Sequence, residues 1–409
     1  MGATETQTLD IRLQENLEKV EQRLQNRSLY RKIFIYTNLK NYTQKYLGEN
    51  TVSENKRYIL SQAVIRIESK IRDIEKLIKL SQNFTNHNTL SLSFNNSNID
   101  QVILQNSEAL QNSQSIFVFR DSVNLSRTSI QKVVDEIQKI QANILIFIDQ
   151  EGGQINRYQD FDTLYTREDI LNDSFMQVRK NKLSEQEYTL FLSLFPNGGV
   201  YFPSLYQVGS LYDSFSKESA NIMLEMFAYM RLKSHVDLGI NTYGLMTDLS
   251  RGNPSITPLG RSFSKHSNKY MLFLDAFAIA SRETGVLVYL KHFPGVGLGV
   301  VDSHNGVLDL RNNESELQEN MKLFEYARQT FGDFPLGVML GHVIVPNTLE
   351  SDFTEIAQSF DFMITDDLGM QGYLGATGKT FQDGFFSIDE LQNSENLLIL
   401  DRKSTFYIK

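Results

Sequence analysis

Residues 285–306 read "GVLVYLKHFPGVGLGVVDSHNG". An apolar run from Val286 to Leu290 breaks at Lys291 and His292, and a loop follows in which Gly295, Gly297 and Gly299 alternate with apolar residues. An unbroken apolar run suits a strand covered on both faces, because a half-exposed strand would alternate. The charged pair then marks the point where that strand leaves the core. Seven more short runs punctuate the chain: "LSLSF" (90–94), "SIFVF" (115–119), "ILIFI" (144–148), "TYGLM" (242–246), "LGVML" (336–340), "FMIT" (362–365) and "NLLIL" (396–400). Between them lie stretches at helical spacing, such as Ile130, Val133, Val134, Ile137 and Ile140. Parallel strands need helix-length returns. Eight runs with helical crossovers therefore predict an α/β fold, a (β/α)8 TIM-type barrel.

A doubly wound sheet shows the same alternation, and the placement of ionisable residues favours the barrel. Five runs end in such residues: Asp149, Asp248, Lys291 with His292, His342, and Asp366 with Asp367. Side chains at the carboxyl ends of barrel strands converge on one mouth. Ahead of the barrel, Leu13, Leu17, Val20 and Leu24 fall at helical spacing, as do Ile67, Ile71, Ile74 and Ile78. This predicts a helical extension over residues 1–86 and a barrel domain over 87–409. The extension reads as a packing layer, with partner docking as the alternative. Residues 158–200 are long for a crossover and read as an insertion that covers or flanks the mouth.

Composition narrows the function. The formal net charge of −9 excludes non-specific nucleic-acid binding, which needs basic surface to neutralise phosphates. Without cysteine there are no disulfides, thiolate metal sites or cysteine nucleophile. No segment reaches about 18 uncharged apolar residues, so no membrane-spanning segment is expected. The start, "MGATETQTLD", lacks the apolar centre of a signal peptide.

Three chemistries compete for the stretch 290–306. A dinucleotide fingerprint needs glycines at its first, third and sixth positions, and the sixth here is Val300. A metal site has ligand types in Asp248, His292, Asp302, His304 and His342, but no His-x-His pair ends an early strand, and Lys291 opposes a cation. Acid/base work fits better. Asp302 stands two residues before His304, near enough to orient the imidazole and favour its protonated form. Asp366, at another strand end, is placed to attack an electrophilic carbon. A loop-borne acid opposite a strand-borne nucleophile is the logic of a retaining glycosidase, with imidazole as the acid. The glycine run lets the acid's loop swing closed over a substrate.

Five motifs carry a family resemblance: "IDQEGG" (148–153), "GRSF" (260–263), "KHFPG" followed by "DSH" (291–304), "GHVIVP" (341–346) and "TDDLGM" (365–370). Over roughly residues 89–401 the chain resembles glycoside hydrolase family 3, in the branch of β-N-acetylglucosaminidases that act on peptidoglycan fragments. The resemblance implies Asp366 as nucleophile, His304 as acid/base and Asp302 as its partner. It implies that Asp149, Arg261, Lys291 and His292 hold the hydroxyls of the terminal sugar, and that no metal or cofactor takes part. The implied partner is a carbohydrate, an N-acetylglucosamine-containing glycan. The family works in the cytoplasm of some bacteria and outside the membrane in others, and the polar helical preface leans toward the cell envelope with a leader removed.

The chain departs from the pattern in places. Val296 replaces a second histidine after "KHFPG", and the proline that usually follows "DSH" is missing. The piece between "GHVIVP" and "TDDL" is short, which predicts a reduced barrel helix there. Asp248 matches an aspartate near the sugar pocket, or else supports the Arg261 loop. Asp367 reads as a neighbour's partner or a helix cap, and His342 as a supporting histidine. His87, His235 and His266 match no motif. Two other functions stay open: a phosphorylase on the same scaffold, and a non-catalytic glycan-binding or scaffold protein.

Overall fold

The computed structural model describes residues 13–21, 24, 29–47, 54–81, 84, 87–95, 97–118, 125–156, 172–195, 202–368, 370 and 397–400. Its strands are β1 (His87–Leu92), β2 (Ser115–Val118), β3 (Leu145–Ile148), β4 (Thr242–Met246) and β5 (Leu287–Phe293). They continue as β6 (Leu308–Asp309), β7 (Leu336–Leu340), β8 (Val343–Ile344), β9 (Phe362–Thr365) and β10 (Leu397–Leu400). The eight apolar runs are the eight strands of one sheet, in the order β3-β2-β1-β10-β9-β7-β5-β4. Every pairing in it is parallel. All residues of β2, β3, β4, β5, β7 and β9 are buried, as parallel strands with both faces covered must be. The short strands β6 and β8 form a separate parallel pair.

Side chains bridge the two ends of that order. Asn241 Nδ2 donates to the Ile144 carbonyl at 2.8 Å, and Asn241 Oδ1 accepts from the Ile146 N–H at 2.9 Å. Thr242 Oγ1 donates to the Ile146 carbonyl at 2.6 Å. A buried backbone group must find a partner, and the asparagine amide supplies one donor and one acceptor as a peptide would. Within the sheet, Phe147 meets Tyr289 and Phe362 edge-on, at ring separations of 5.4 and 6.3 Å. Small residues make room for these rings. A Cβ on Gly244 would lie 2.6 Å from Tyr289 Oη, and one on Gly337 would lie 2.2 Å from Phe362 Cζ.

The crossover helix Arg127–Ile140 starts on Ser126, whose hydroxyl accepts from the Ser129 N–H, and buries Ile130, Val133, Val134 and Ile137. The crossover before β9 is indeed short: Glu350–Gln358, nine residues. The helical residues 13–21 and the helices Leu29–Leu47 and Glu54–Ser81 share an apolar cluster of their own, built on Leu13, Leu17, Leu24, Tyr36, Ile67 and Ile74. Leu77 and Leu80 join the main core instead. Ion pairs add to the docking of this layer, with Lys32 on Asp333 at 3.2 Å and Lys70 on Glu283 at 2.8 Å. Of the expected insertion, the helices Ser174–Lys180 and Glu185–Leu192 are described, while residues 158–171 and 196–200 lie outside the described residues. Phe175 stacks on Tyr229 at 4.1 Å, and Arg179 pairs with Glu225 at 2.9 Å, which seats the first of these helices on Lys217–Val236. Among the described residues no helix is long and apolar enough to cross a membrane.

Replacing Asn241 with Ala strips partners from two buried backbone groups at once. The expected loss is about 2 kcal/mol or more, read as a lower urea midpoint with an unchanged slope. A loss under about 0.5 kcal/mol would mean that water or neighbouring groups take over the bridge.

Candidate active site

Because the sheet is parallel, the carboxyl ends of β3, β4, β5, β7 and β9 share one side. The turn after β3 carries Asp149 and Glu151. The Lys291 ammonium lies 2.7 Å from Asp149 Oδ1 and 2.7 Å from Glu151 Oε1. Arg261 reaches the same glutamate with a two-pronged grip, Nε to Oε2 at 2.7 Å and Nη2 to Oε1 at 2.9 Å. Its Nη1 donates to the Ser255 carbonyl at 3.0 Å, which fixes the plane of the fork. Glu151 is 3% exposed and Lys291 2%, whereas Asp149 is 30% exposed. Burial alone would raise the Glu151 carboxyl, but Arg261 and Lys291 outweigh it and hold the group well below the usual carboxylate range. Burial likewise works against the Lys291 charge, and Asp149 and Glu151 raise it above an ordinary lysine.

The turn itself is pinned from beneath. Arg231, fully buried, donates from Nη2 to the Glu151 carbonyl at 2.6 Å, and its guanidinium sits 3.8 Å over the Phe202 ring. Gly152 has φ 93°, and a Cβ there would lie 2.4 Å from Arg231 Nη2. Both the dihedral and the space demand glycine.

Asp248, with no exposed surface, is the anchor of the next strand end. Its carboxylate accepts from the His292 N–H at 3.1 Å, His292 Nδ1 at 2.8 Å and the Val296 N–H at 2.7 Å. A carboxylate accepts only, so His292 Nδ1 carries a proton, and Nε2 faces Asp366 Oδ2 at 3.9 Å. The Asp248 carbonyl in turn accepts from Ser262 Oγ at 2.7 Å and Tyr270 Oη at 2.9 Å, so one residue serves both the His292 ring and the Arg261 loop. Asn320 staples the loops together. It donates to the Pro294 carbonyl at 2.8 Å and accepts from the Leu249 N–H at 3.3 Å.

Asp366 follows β9, with its N–H on the Leu340 carbonyl at 2.9 Å and its Oδ1 accepting from the Asp367 N–H at 2.8 Å. Oδ2 is thereby turned toward His292. His342 is buried and its Nε2 lies 3.0 Å from the Asp367 carbonyl oxygen, so it supports the peptide behind Asp366. Burial pushes the His342 pKa down. On its own turn, Asp302 Oδ1 accepts from His304 Nδ1 at 2.7 Å and from the His304 N–H at 3.0 Å. Burial would raise the Asp302 carboxyl, yet the His304 N–H and ring prevail and lower it. His304 is 54% exposed, with Nδ1 committed to Asp302 and Nε2 left for a ligand.

The glycine run differs from its sequence reading. Only Gly295 has a positive φ, 131°. A Cβ on Gly297 would lie 2.1 Å from the Leu249 carbonyl oxygen, and one on Gly299 would lie 1.8 Å from Leu308 Cδ1. These two glycines permit close packing rather than free swinging. Asn253 ties the same loop down, donating from Nδ2 to the Val301 carbonyl at 3.1 Å and from its N–H to the Gly297 carbonyl at 3.3 Å.

The structure thus brings Asp149, Arg261, Lys291, His292 and Asp366 into one connected set, with the Asp302–His304 pair on an adjoining loop. Sequence reasoning passed over Glu151, Arg231 and Asn320. Glu151 had a signal, a carboxylate in a glycine turn two residues past a strand-end aspartate. Arg231 and Asn320 sit within helices, Lys217–Val236 and Glu314–Phe331, and carry no motif.

A parallel α/β sheet with histidines and carboxylates at its strand ends, and two buried cations beside them, defines a class, an α/β protein with a charged cluster at the carboxyl side of its sheet. Residues 196–395 match the model of the glycosyl hydrolase family 3 N-terminal domain. Among curated proteins, it is 33% identical over 107 residues to "Beta-hexosaminidase LpqI" of Mycobacterium tuberculosis, covering 26% of this chain and 27% of that protein. It is 28% identical over 233 residues to "Beta-hexosaminidase" of Xylella fastidiosa, 56% of each chain. The chain therefore spans from about a quarter to just over half the length of these relatives. Among solved structures it shares the fold of NagZ from Neisseria gonorrhoeae in complex with N-trifluoroacetyl-D-glucosamine, with TM-score 0.54, 16% identity, and 78% of this chain and 83% of that one covered.

His235, fully buried beneath Arg231, yields a pH prediction. Burial first, and the Arg231 charge second, push its pKa down to about 3, against an unfolded value of ~6.5. Between those values the unfolded chain binds more protons, so stability is complete above ~6.5 and is lost as pH falls from there toward the folded value. His235→Leu should flatten the fall in urea midpoint between pH 7.5 and pH 5 relative to wild type. Identical slopes would show that the fold leaves the His235 pKa at its unfolded value.

Proposed function

We propose that this chain is an exo-acting, retaining β-N-acetylglucosaminidase built on a (β/α)8 barrel of TIM type, residues 87–409, with residues 1–86 as a helical layer docked on it. The Asn241 and Thr242 bridges between β3 and β4 support closure of the sheet into a barrel. The observation that carries the activity is the pair of Asp–His contacts at the strand ends. One orients His292 beside Asp366, and the other presents His304 as an acid. In the first step Asp366 Oδ2 attacks the anomeric carbon while His304 protonates the departing oxygen. The bond to the aglycone breaks and an ester to Asp366 forms. In the second step His304 takes a proton from water, whose oxygen displaces the Asp366 ester. Asp149, Arg261, Lys291 and His292 hold the hydroxyls of the terminal sugar, and those contacts strengthen as the ring flattens. The substrate is terminal N-acetylglucosamine on peptidoglycan-derived or related glycans. The β-hexosaminidase names of the curated relatives support the hexosaminide part of that choice.

A phosphorylase is the second reading. A histidine acid/base, unlike a carboxylate, does not repel an incoming phosphate, and phosphate would then replace water in the second step. Turnover with and without phosphate, with analysis for the sugar 1-phosphate, separates the two.

Asp366→Asn should lower kcat/KM on an aryl N-acetylglucosaminide about a thousandfold or more without unfolding the protein. A fluorinated glycosyl inactivator should label the peptide containing residues 365–370, and labelling of His304 or Asp149 would overturn the assignment. Leaving-group chemistry tests the acid. A nitrophenolate departs with little protonation, whereas a sugar hydroxyl needs a proton in the transition state. His304→Ala should therefore damage single-turnover rates far more on a disaccharide than on the aryl substrate, and Asp302→Ala should show a milder version. Equal losses on both would remove His304 from the role.

A further inference from the structure

Two buried cations and two carboxylates meet in the subsite that ends β3 and β5. Lys291 and Arg261 are 2% and 10% exposed. Glu151 touches both, and three protein N–H donors converge on its two oxygens. Asp149 meets Lys291 and is more exposed. The backbone beneath Glu151 is held by Arg231 and by a turn that only glycine fits, so the base of the side chain is fixed in place. With Glu151 in place both cations are in direct contact with it, and Lys291 also meets Asp149. Without it Arg261 keeps no carboxylate in direct contact, Lys291 keeps Asp149, and Asp248 and Asp302 act on Arg261 only at longer range. Lysine and arginine so placed form a ready receptor for phosphate or carboxylate.

We propose that Glu151 is a specificity-determining residue: by neutralising Lys291 and Arg261 it holds the subsite to uncharged sugars and against sugars bearing a carboxylate or phosphate. The inference rests on reading this cluster as the sugar-gripping subsite. Glu151 acts through its two cationic partners and is a positioning residue, because its oxygens are occupied by protein donors. Asp149 is the carboxylate that reaches a ligand hydroxyl.

Calorimetric titration at low ionic strength tests this, using inorganic phosphate and N-acetylglucosamine as probes on wild type, Glu151→Gln and Asp149→Asn. Glu151→Gln keeps the shape of the side chain and drops its charge. It should bind phosphate about tenfold tighter than wild type or better, in competition with N-acetylglucosamine. Asp149→Asn removes the more exposed charge and leaves the buried bidentate pair intact. It should gain phosphate affinity by a smaller factor, and it decides the matter if Glu151→Gln does not fold. A Glu151 that only maintained structure would weaken sugar binding without creating anion affinity. No gain in any folded variant, or wild-type phosphate affinity equal to theirs in competition with the sugar, overturns the proposal. Turnover of an aryl N-acetylglucosaminide by wild type is measured separately. Its absence counts against the glycosidase reading, while the anion result is read from binding alone.

Discussion

A carboxylate buried between two cations organises this molecule's site. Glu151 takes Lys291 from the end of β5 and Arg261 from the loop after β4, and Arg231 fixes its backbone from below. None of these groups is tolerable alone in the interior. Removing one partner from a buried pair leaves an uncompensated charge, which costs about 3–5 kcal/mol. The three charges therefore define one another's positions, and the strand ends that bear them are locked in register with the turn after β3. Asp248 has the same effect at the end of β4, where three donors converge on its carboxylate.

The strands were legible because parallel strands buried on both faces leave short apolar runs, and ionisable residues mark where five of those runs end. The short crossover Glu350–Gln358 was legible too, from the short distance between two family-like motifs. Arg231 and Asn320 were not, for a common physical reason: each acts on a group far away in sequence. Arg231 meets a carbonyl 80 positions earlier, and Asn320 an N–H 71 positions earlier. No local pattern records such a contact. His235 shows the converse. It matches no motif, and its surroundings, an edge contact to Tyr243 at 5.2 Å and full burial, give it a packing role and a titration rather than a place in the chemistry.

Val296 shows how a departure from the family pattern is absorbed. Its N–H still meets Asp248 Oδ1 at 2.7 Å, so the backbone contact survives whatever side chain stands there. The valine is buried, and its Cγ1 would lie only 3.0 Å from a Cβ placed on Gly341. The position has become integral to the packing between the loop after β5 and the turn after β7. A polar side chain at Val296 would need a partner in that space.

That packing also fixes the start of the loop that carries Asp302 and His304. Gly297 lies against the Leu249 carbonyl and Gly299 against Leu308, while Asn253 holds Gly297 and Val301. A loop fixed at both glycines does not swing as a whole. Exposure rises sharply only beyond them, at Val300, 88% exposed, and at His304. The Asp302–His304 pair closes both of its hydrogen bonds within its own turn, so the orientation of the imidazole is set locally. The Asp248 carboxylate and the Glu151 cluster are held by separate contacts of their own.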